Sequence, residues 1–189
     1  MKLFLRRGFT GVTMRKIAME IGYTPGALYR YFKDKDDMFF ALRTEGFDLF
    51  YREQLRARKS TSAMRRIREH ATTYVDFALK HRQYYEIMFM MQAPMERIGD
   101  DKQRMRSKRS LDLLREDVQR AMDEGIVRSM PKETVVLGLW SSLHGAIALI
   151  LRGRLKHHSK ASDRMIANQV MEFVLENFLI PKRAAGETV

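Results

Sequence analysis

Cysteine is absent from the 189 residues. That excludes disulfide scaffolds, thiolate zinc sites and cysteine nucleophiles. Proline is scarce, at four, and glycine numbers eleven. With few Ser/Thr clusters, this argues against disorder and against an all-β sandwich. Long hydrophobic runs are also missing. The N-terminus, Met1-Lys2-Leu3-Phe4-Leu5-Arg6-Arg7, has three apolar residues together, too few for a signal peptide. The longest uncharged apolar segment, about 135–151, is interrupted by Ser141, Ser142 and His144 and softened by Gly138, Gly145 and Ala146. A spanning helix wants about 20 predominantly apolar residues. The expectation is a buried helix of a cytoplasmic protein, with no membrane partner.

What the chain has is positive charge. Lys and Arg number 35 against 23 Asp and Glu, a net of +12. Such an excess suggests a polyanionic partner, nucleic acid first and an anionic membrane surface second. Residues 1–45 hold 9 basic and 5 acidic side chains, residues 46–110 hold 15 and 8, and residues 111–189 hold 11 and 10. Apolar residues, at 45%, suffice for a core, and fourteen Met among many Leu, Arg and Glu favour helices. The length fits one large domain, or a small one joined to a medium one.

No stretch alternates with the period of a strand, and the helical period recurs throughout. Thr13 can cap a helix to Ile21, ended by Gly22. Thr24 can cap the next, to about Phe32, with Pro25 at its first position. Asp34 can cap a long helix from Lys35 to about Lys59, and Ser60-Thr61-Ser62 a helix to about Lys80. Further helices are expected over 82–92, from Asp100 or Asp101 to Gly125, from Met130-Pro131 to about Arg152, and from between Ser159 and Ser162 to before Pro181. Ala93-Pro94 and Gly99-Asp100 mark a loop, and 181–189 a frayed tail.

The informative stretch runs from Gly8 to Lys35. Two short helices meet through Ile21-Gly22-Tyr23, with glycine where the turn of a helix-turn-helix needs positive φ. Ile17, Ala18 and Ile21 make the inner face of the first helix, Leu28 and Phe32 that of the second, and Tyr23 closes the turn. Thr24, Pro25, Gly26 and Ala27 give the second helix a small outer face at its N-terminus, where unpaired N–H groups favour an anion. Tyr29, Arg30 and Tyr31 follow, able to reach phosphates or base edges.

Gly8-Phe9, Thr13, Ile17-Ala18, Gly22, Thr24, Gly26, Leu28-Tyr29, Tyr31-Phe32 and Lys35 resemble, at fixed spacing, the DNA-binding domain of the TetR/AcrR family of bacterial transcriptional regulators. The resemblance spans about residues 3–45. It implies an all-α fold, with a helix-turn-helix DNA-binding domain at 1–45 and a helical regulatory, ligand-binding and dimerisation domain at 46–189. It also implies that residues 24–32 are the recognition helix and that Thr13, Thr24, Pro25, Gly26, Ala27, Tyr29, Arg30, Tyr31 and Lys35 face an operator duplex. Of these, Thr24, Tyr29, Tyr31 and Lys35 are expected mainly at phosphates, and Pro25, Gly26, Ala27 and Arg30 at base edges. Helix 1 starts at Met1 with barely two turns, where family members usually carry about two more, often after a basic arm.

Leu139-Trp140-Ser141-Ser142-Leu143-His144-Gly145 resembles a Trp-…-His-Gly signature of one TetR subgroup, and Tyr84-Tyr85-Glu86-Ile87-Met88-Phe89 is similar to that subgroup's helix 6. The family fold implies a small-molecule effector, apolar or aromatic, among Tyr74, Phe77, Tyr85, Met88, Phe89, Trp140 and His144. Asp76 and Glu86 are expected to face outward. A homodimer is expected through Val136, Leu139, Leu143, Ile147 and Ile150 on one helix and Ile166, Val170, Phe173 and Val174 on another. The basic clusters at Arg56, Arg58, Lys59, Arg65, Arg66 and Arg68, and at Lys102, Arg104, Arg106, Lys108 and Arg109, read as solvated helix faces that raise the positive field.

No Gly-rich phosphate loop, Gly-x-Ser-x-Gly elbow or His-Glu-x-x-His motif is present. His157-His158 are adjacent rather than three or four apart, and His70 and His81 read as surface or helix-end residues. No enzyme activity, metal or cofactor is expected. The reading is therefore a ligand-responsive regulator, a repressor released from an inverted-repeat operator. Its rivals are a helical interaction module without specific DNA binding, given the short first helix, and a basic amphipathic protein on anionic membrane.

Overall fold

A computed structural model describes residues 1–92, 101–128, 130–155 and 161–178, and only the backbone of 101–104. The loop expected at Ala93-Pro94 and Gly99-Asp100, the His157-His158 pair, a helix start at Ser159 and the tail from Pro181 lie outside the described residues, as do the side chains of Lys102 and Arg104. Among the described residues the regular elements are helices. They are α1 (Lys2–Arg7), α2 (Met14–Glu20), α3 (Pro25–Tyr29), α4 (Lys35–Ala57), α5 (Ala63–Lys80), α6 (Arg82–Tyr85), α7 (Asp101–Asp123), α8 (Lys132–Leu151) and α9 (Asp163–Phe178). A π-helical turn, Glu86–Met90, continues α6, so the helix expected over 82–92 changes register midway.

Local chemistry sets these boundaries. Thr13 accepts a hydrogen bond from the Lys16 amide at 3.3 Å and caps α2. At the other end Gly22 adopts φ 73°, its amide bonds Met19 O, and the Tyr23 amide bonds Ala18 O at 2.9 Å. This is the paired closure of a glycine-terminated helix. Tyr23 thus closes the turn through its backbone, and its ring is exposed. Ile21, expected on the inner face, is half exposed at 50%, because the chain leaves helical geometry there and turns the side chain outward. Asp34 accepts from the Asp37 amide at 2.8 Å, and Asp37 accepts from the Lys33 amide at 3.0 Å. This reciprocal cap starts α4 where the sequence suggests. α3 is shorter than expected and ends at Tyr29, although the Phe32 amide still reaches Leu28 O at 3.0 Å.

The chain packs as two compact units. One comprises residues 1–56 with 76–111, the other 57–75 with 112–189. The expected boundary, 45/46, falls inside α4, and the packing groups residues 76–111 with 1–56. In the first unit Phe4, Phe9 and Phe39 meet edge-on or stacked, with ring centres 5.0–6.2 Å apart. Leu28 of α3 and Ile87 of the π-helical turn belong to the same buried cluster.

In the second unit α8 packs on α9, and Phe178 lies against Gly138, where a Cβ would meet its ring at 2.7 Å. The α8 stripe expected to form a dimer interface is instead buried within the chain: Val136, Leu139, Leu143, Ile147 and Ile150 are all buried. The reason is that α8 is apolar on most of its circumference, and burying each Val, Leu or Ile is worth about 1.5–3 kcal/mol, so the richest face turns inward. On α9, Val174 is buried, Ile166 and Val170 are partly covered, and Phe173 is exposed. By its length of 20 residues and its mean hydropathy of 1.8 over an 18-residue window, α8 could also cross a membrane, yet the stripe just named is buried in protein.

Candidate nucleic-acid interface and effector residues

Within the short α3, Leu28 is the buried residue that anchors it from beneath. Its N-terminus carries the Thr24 cap, whose Oγ1 accepts from the Ala27 amide at 3.2 Å. That leaves the hydroxyl proton to donate outward, toward an oxygen such as a phosphate's. Thr24, Gly26, Tyr29, Arg30 and Tyr31 are exposed, and Pro25 and Ala27 are partly so. Tyr31, 77% exposed, is among the most exposed large side chains. Gly26 has no positive φ, and a Cβ built on it would meet nothing within 4 Å. Neither backbone conformation nor internal packing therefore requires glycine at this position.

Two residues of the expected DNA set have internal ties. Thr13 is the α2 cap. Lys35 donates to the Phe9 carbonyl at 3.0 Å and stands 4.1 Å over that residue's ring. It ties the segment before α2 to the start of α4, while two of its three donors remain. Lys33 and Arg15 are exposed cations of the same motif that the sequence reading passed over.

The expected effector residues fall into two groups, one in each unit. In the second unit Trp140 Nε1 donates to the Tyr74 hydroxyl at 3.1 Å, and that hydroxyl lies 3.2 Å from His144 Nδ1. Burial lowers the His144 pKa, which keeps the ring neutral and its Nδ1 able to accept from Tyr74. In the first unit Phe77, Tyr85 and Met88 are buried, and Phe89 is partly so. Phe89 sits 5.0 Å from Tyr85 and 5.5 Å from Phe47, centre to centre. Asp76 and Glu86, expected to face outward, are partly buried, and Glu86 pairs with Arg82 at 3.2 Å.

Several cations expected on solvated faces are structural. Asp117 is almost fully buried and lies 2.6 Å from Arg58 and 3.7 Å from Arg66. Burial pushes its carboxyl pKa up, and the two guanidinium groups oppose this. Arg68 pairs with Glu172, and Asp48 receives both Arg106 and Arg109. His70, expected at the surface, lies partly buried within α5. Burial and the nearby Arg58 pull its pKa down to about 4. His81 does sit at a helix end, 3.1 Å from Glu53. Nothing in the sequence marks these pairs, because each joins residues far apart in the chain. Among the described residues no three His, Asp or Glu side chains gather as a metal site would require.

Two family models match this arrangement. Residues 1–42 match the model described as bacterial regulatory proteins, tetR family, and residues 67–173 match the tetracyclin repressor-like C-terminal domain. The chain belongs to the tetR family. The second match takes in Tyr74, the π-helical turn, Trp140 and His144. An HTH-type transcriptional regulator of Staphylococcus aureus (strain USA300) is 41% identical over 49 residues, 26% of this chain and 26% of that protein, so the match spans about a quarter of its length. Solved structures show the same fold along nearly the whole chain. The tetR-family transcriptional regulator PfmR of Thermus thermophilus aligns with a TM-score of 0.73 at 16% identity, covering 93% of both chains. FadR of Bacillus subtilis, solved with stearoyl-CoA, aligns with 0.73 at 15% identity over 94% of both. AibR, solved with isovaleryl coenzyme A and operator DNA, aligns with 0.69 at 21% identity over 91% of both.

Proposed function

We propose that this tetR-family chain is a homodimeric transcriptional repressor whose α3 reads an inverted-repeat operator and which a small, largely apolar molecule releases. The observation that carries the DNA reading is the outer face of α3. It combines a capped helix N-terminus, an exposed glycine with no internal reason to be one, and exposed Tyr29, Arg30 and Tyr31. Thr24, Tyr29, Tyr31 and Lys35 hold phosphates, with Thr13 supporting the motif. Pro25, Gly26, Ala27 and Arg30 approach base edges.

A second copy of the chain covers the surface left open on α8 and α9. Leu137 and Leu149 are nearly half exposed on α8, and Gly145 between them has open space where a Cβ would stand. A mid-helix glycine costs about 1 kcal/mol against alanine, and close approach of another helix offsets that. On α9, Met165 and Phe173 border an open groove of about 620 Å³.

For the effector, each unit offers its own candidate group: Tyr74, Trp140 and His144 in the second, with polar tips on large apolar side chains, or Phe77, Tyr85, Met88 and Phe89 in the first, with apolar area. The acyl-CoA molecules bound by FadR and AibR support an effector with an apolar chain. Effector binding favours a state whose recognition helices no longer match adjacent major grooves. The test is competition. A duplex selected from a random-sequence library should displace labelled duplex at concentrations where scrambled duplex and anionic phospholipid vesicles do not. Equal displacement by all three would remove specific DNA recognition.

A further inference from the structure

Arg43, in the middle of α4, is buried at 9% exposure. Its Nη2 donates to the Met88 carbonyl at 3.0 Å, and its guanidinium lies 5.8 Å from the centre of the Phe47 ring. Met88 belongs to the last turn of the helix that α6 and the π-helical turn make together. The last carbonyls of any helix lack partners within it, and that end carries partial negative charge. Arg43 therefore caps this helix from a neighbouring one, with a charge that stays on at any ordinary pH.

The contact is one of several between the same two segments. Where α4 passes the turn, a Cβ on Gly46 would stand 2.6 Å from Met88 Sδ and 3.0 Å from Tyr84 Cδ1, so only glycine fits without displacement. Tyr84 hydrogen-bonds Glu45, and Phe89 packs edge-on against Phe47. On its other side the turn inserts Ile87, 1% exposed, into the cluster that includes Phe4, Leu28 and Phe39, and Met91 packs on that cluster. The Met91 amide bonds Glu86 O at 2.9 Å, five residues back. That bond holds one residue more than an α-helical turn would, a geometry often found at functional positions. Its conversion to α-helix would rotate Met91 by about 100° relative to Tyr85.

We propose that Arg43 is the positioning residue that fixes the π-helical register of Glu86–Met90, so that Tyr85 and Phe89 and the core beneath the recognition helix shift together or not at all. Its functional consequence rests on the DNA-binding reading above; the structural claim does not. Loss of the guanidinium frees the Met88 carbonyl and loosens the Met91 bond, and the disturbance passes through Ile87 to the core under α3.

Amide hydrogen exchange on the full chain, resolved by residue, tests this in wild type, Arg43→Met and Arg43→Lys. In Arg43→Met, the Met91 amide and those of α1 and the first turns of α4 should exchange at least tenfold faster, while α8 amides keep wild-type rates. Arg43→Lys, with one flexible donor group, should recover most of that protection. If Arg43→Met does not fold, Arg43→Lys decides alone, with an expected increase of at least threefold at Met91. Wild-type protection at Met91, or an equal loss in α8, overturns the proposal. A 30-base-pair duplex of random sequence at low salt provides a second readout. Arg43→Met should bind at least fivefold more weakly than wild type, with Arg43→Lys between, and unchanged binding alongside lost Met91 protection removes the link to DNA. A wild-type chain that ignores the duplex sinks the DNA reading, while the exchange result still decides the role of Arg43.

Discussion

The ammonium group of Lys35 donates to the carbonyl of Phe9 at 3.0 Å while standing 4.1 Å over the centre of the same residue's ring. The residue expected to hold a phosphate thus also fastens the approach to α2 onto the start of α4. Phe9 itself is buried between Phe4 and Phe39. Lys35→Ala should therefore do two things. It should cost roughly 1–2 kcal/mol of stability, from a charged hydrogen bond and a cation–π contact, both partly solvated. It should also weaken binding to every duplex. Lys33→Ala, at an exposed site, should leave the melting temperature unchanged and lower the salt slope by about 0.9. A Lys35→Ala protein with unchanged melting temperature would contradict the internal tie.

Gly26 gives a prediction in which stability and binding move in opposite directions. Its φ is not positive and a Cβ there meets nothing, so alanine fits the free protein. Gly26→Ala should stabilise by about 0.4–1 kcal/mol through the unfolded chain. It should also weaken binding of a selected duplex at least tenfold, because the methyl group intervenes between helix and groove. Calorimetry and a fluorescence anisotropy titration on the same samples read both. Tighter or equal binding would mean that the helix does not approach the duplex at this point.

The helix-turn-helix was legible because its signals are local: Thr13, Gly22, Thr24 with Pro25, and Asp34 each act on residues within four positions. The faces of α8 were not. Val136, Leu139 and Leu143 make one apolar stripe and Leu137 and Leu149 lie on another, and sequence period alone does not decide which turns inward. The paired positions Arg43–Met88 and Arg58–Asp117 are 45 and 59 residues apart. Only the packed chain brings them together. The division of the expected effector residues between two compact units was not legible, since nothing local distinguishes Tyr74 from Phe77.

Phe173 and Leu143 separate the proposed dimer surface from the core. Phe173 is 68% exposed, so Phe173→Asp should remain folded with normal circular dichroism and lose self-association in light scattering. Leu143 is buried, and Leu143→Asp should fail to fold, because an unpaired buried charge is costly. A Phe173→Asp protein that stays dimeric would move the interface off this part of α9.

The depressed pKa of His70 predicts a loss of stability in acid. The folded protein disfavours the charged ring, holding its pKa near 4 against an ordinary 6.5. Between those values the unfolded chain binds more protons, so stability falls as pH drops from about 7 toward 4. The full shift corresponds to roughly 3 kcal/mol, and since the ring keeps some solvent contact about half of that is expected. Urea titrations at pH 7 and pH 5 should show the loss in wild type and a smaller one in His70→Gln. An equal loss in both proteins would assign the acid sensitivity to other groups.

The central claim is that α3 reads a specific duplex through both phosphates and base edges. The measurement that tests it most directly is fluorescence anisotropy of a library-selected duplex and its scrambled version, titrated with wild-type protein across a range of salt concentrations. The account predicts a selected sequence with two inverted half-sites. It predicts binding to that sequence at least a thousandfold tighter than to the scrambled duplex at physiological salt, with affinity for both falling as salt rises. Equal affinity for the two duplexes, with the same salt slope, would contradict it and leave only the attraction of a positively charged surface.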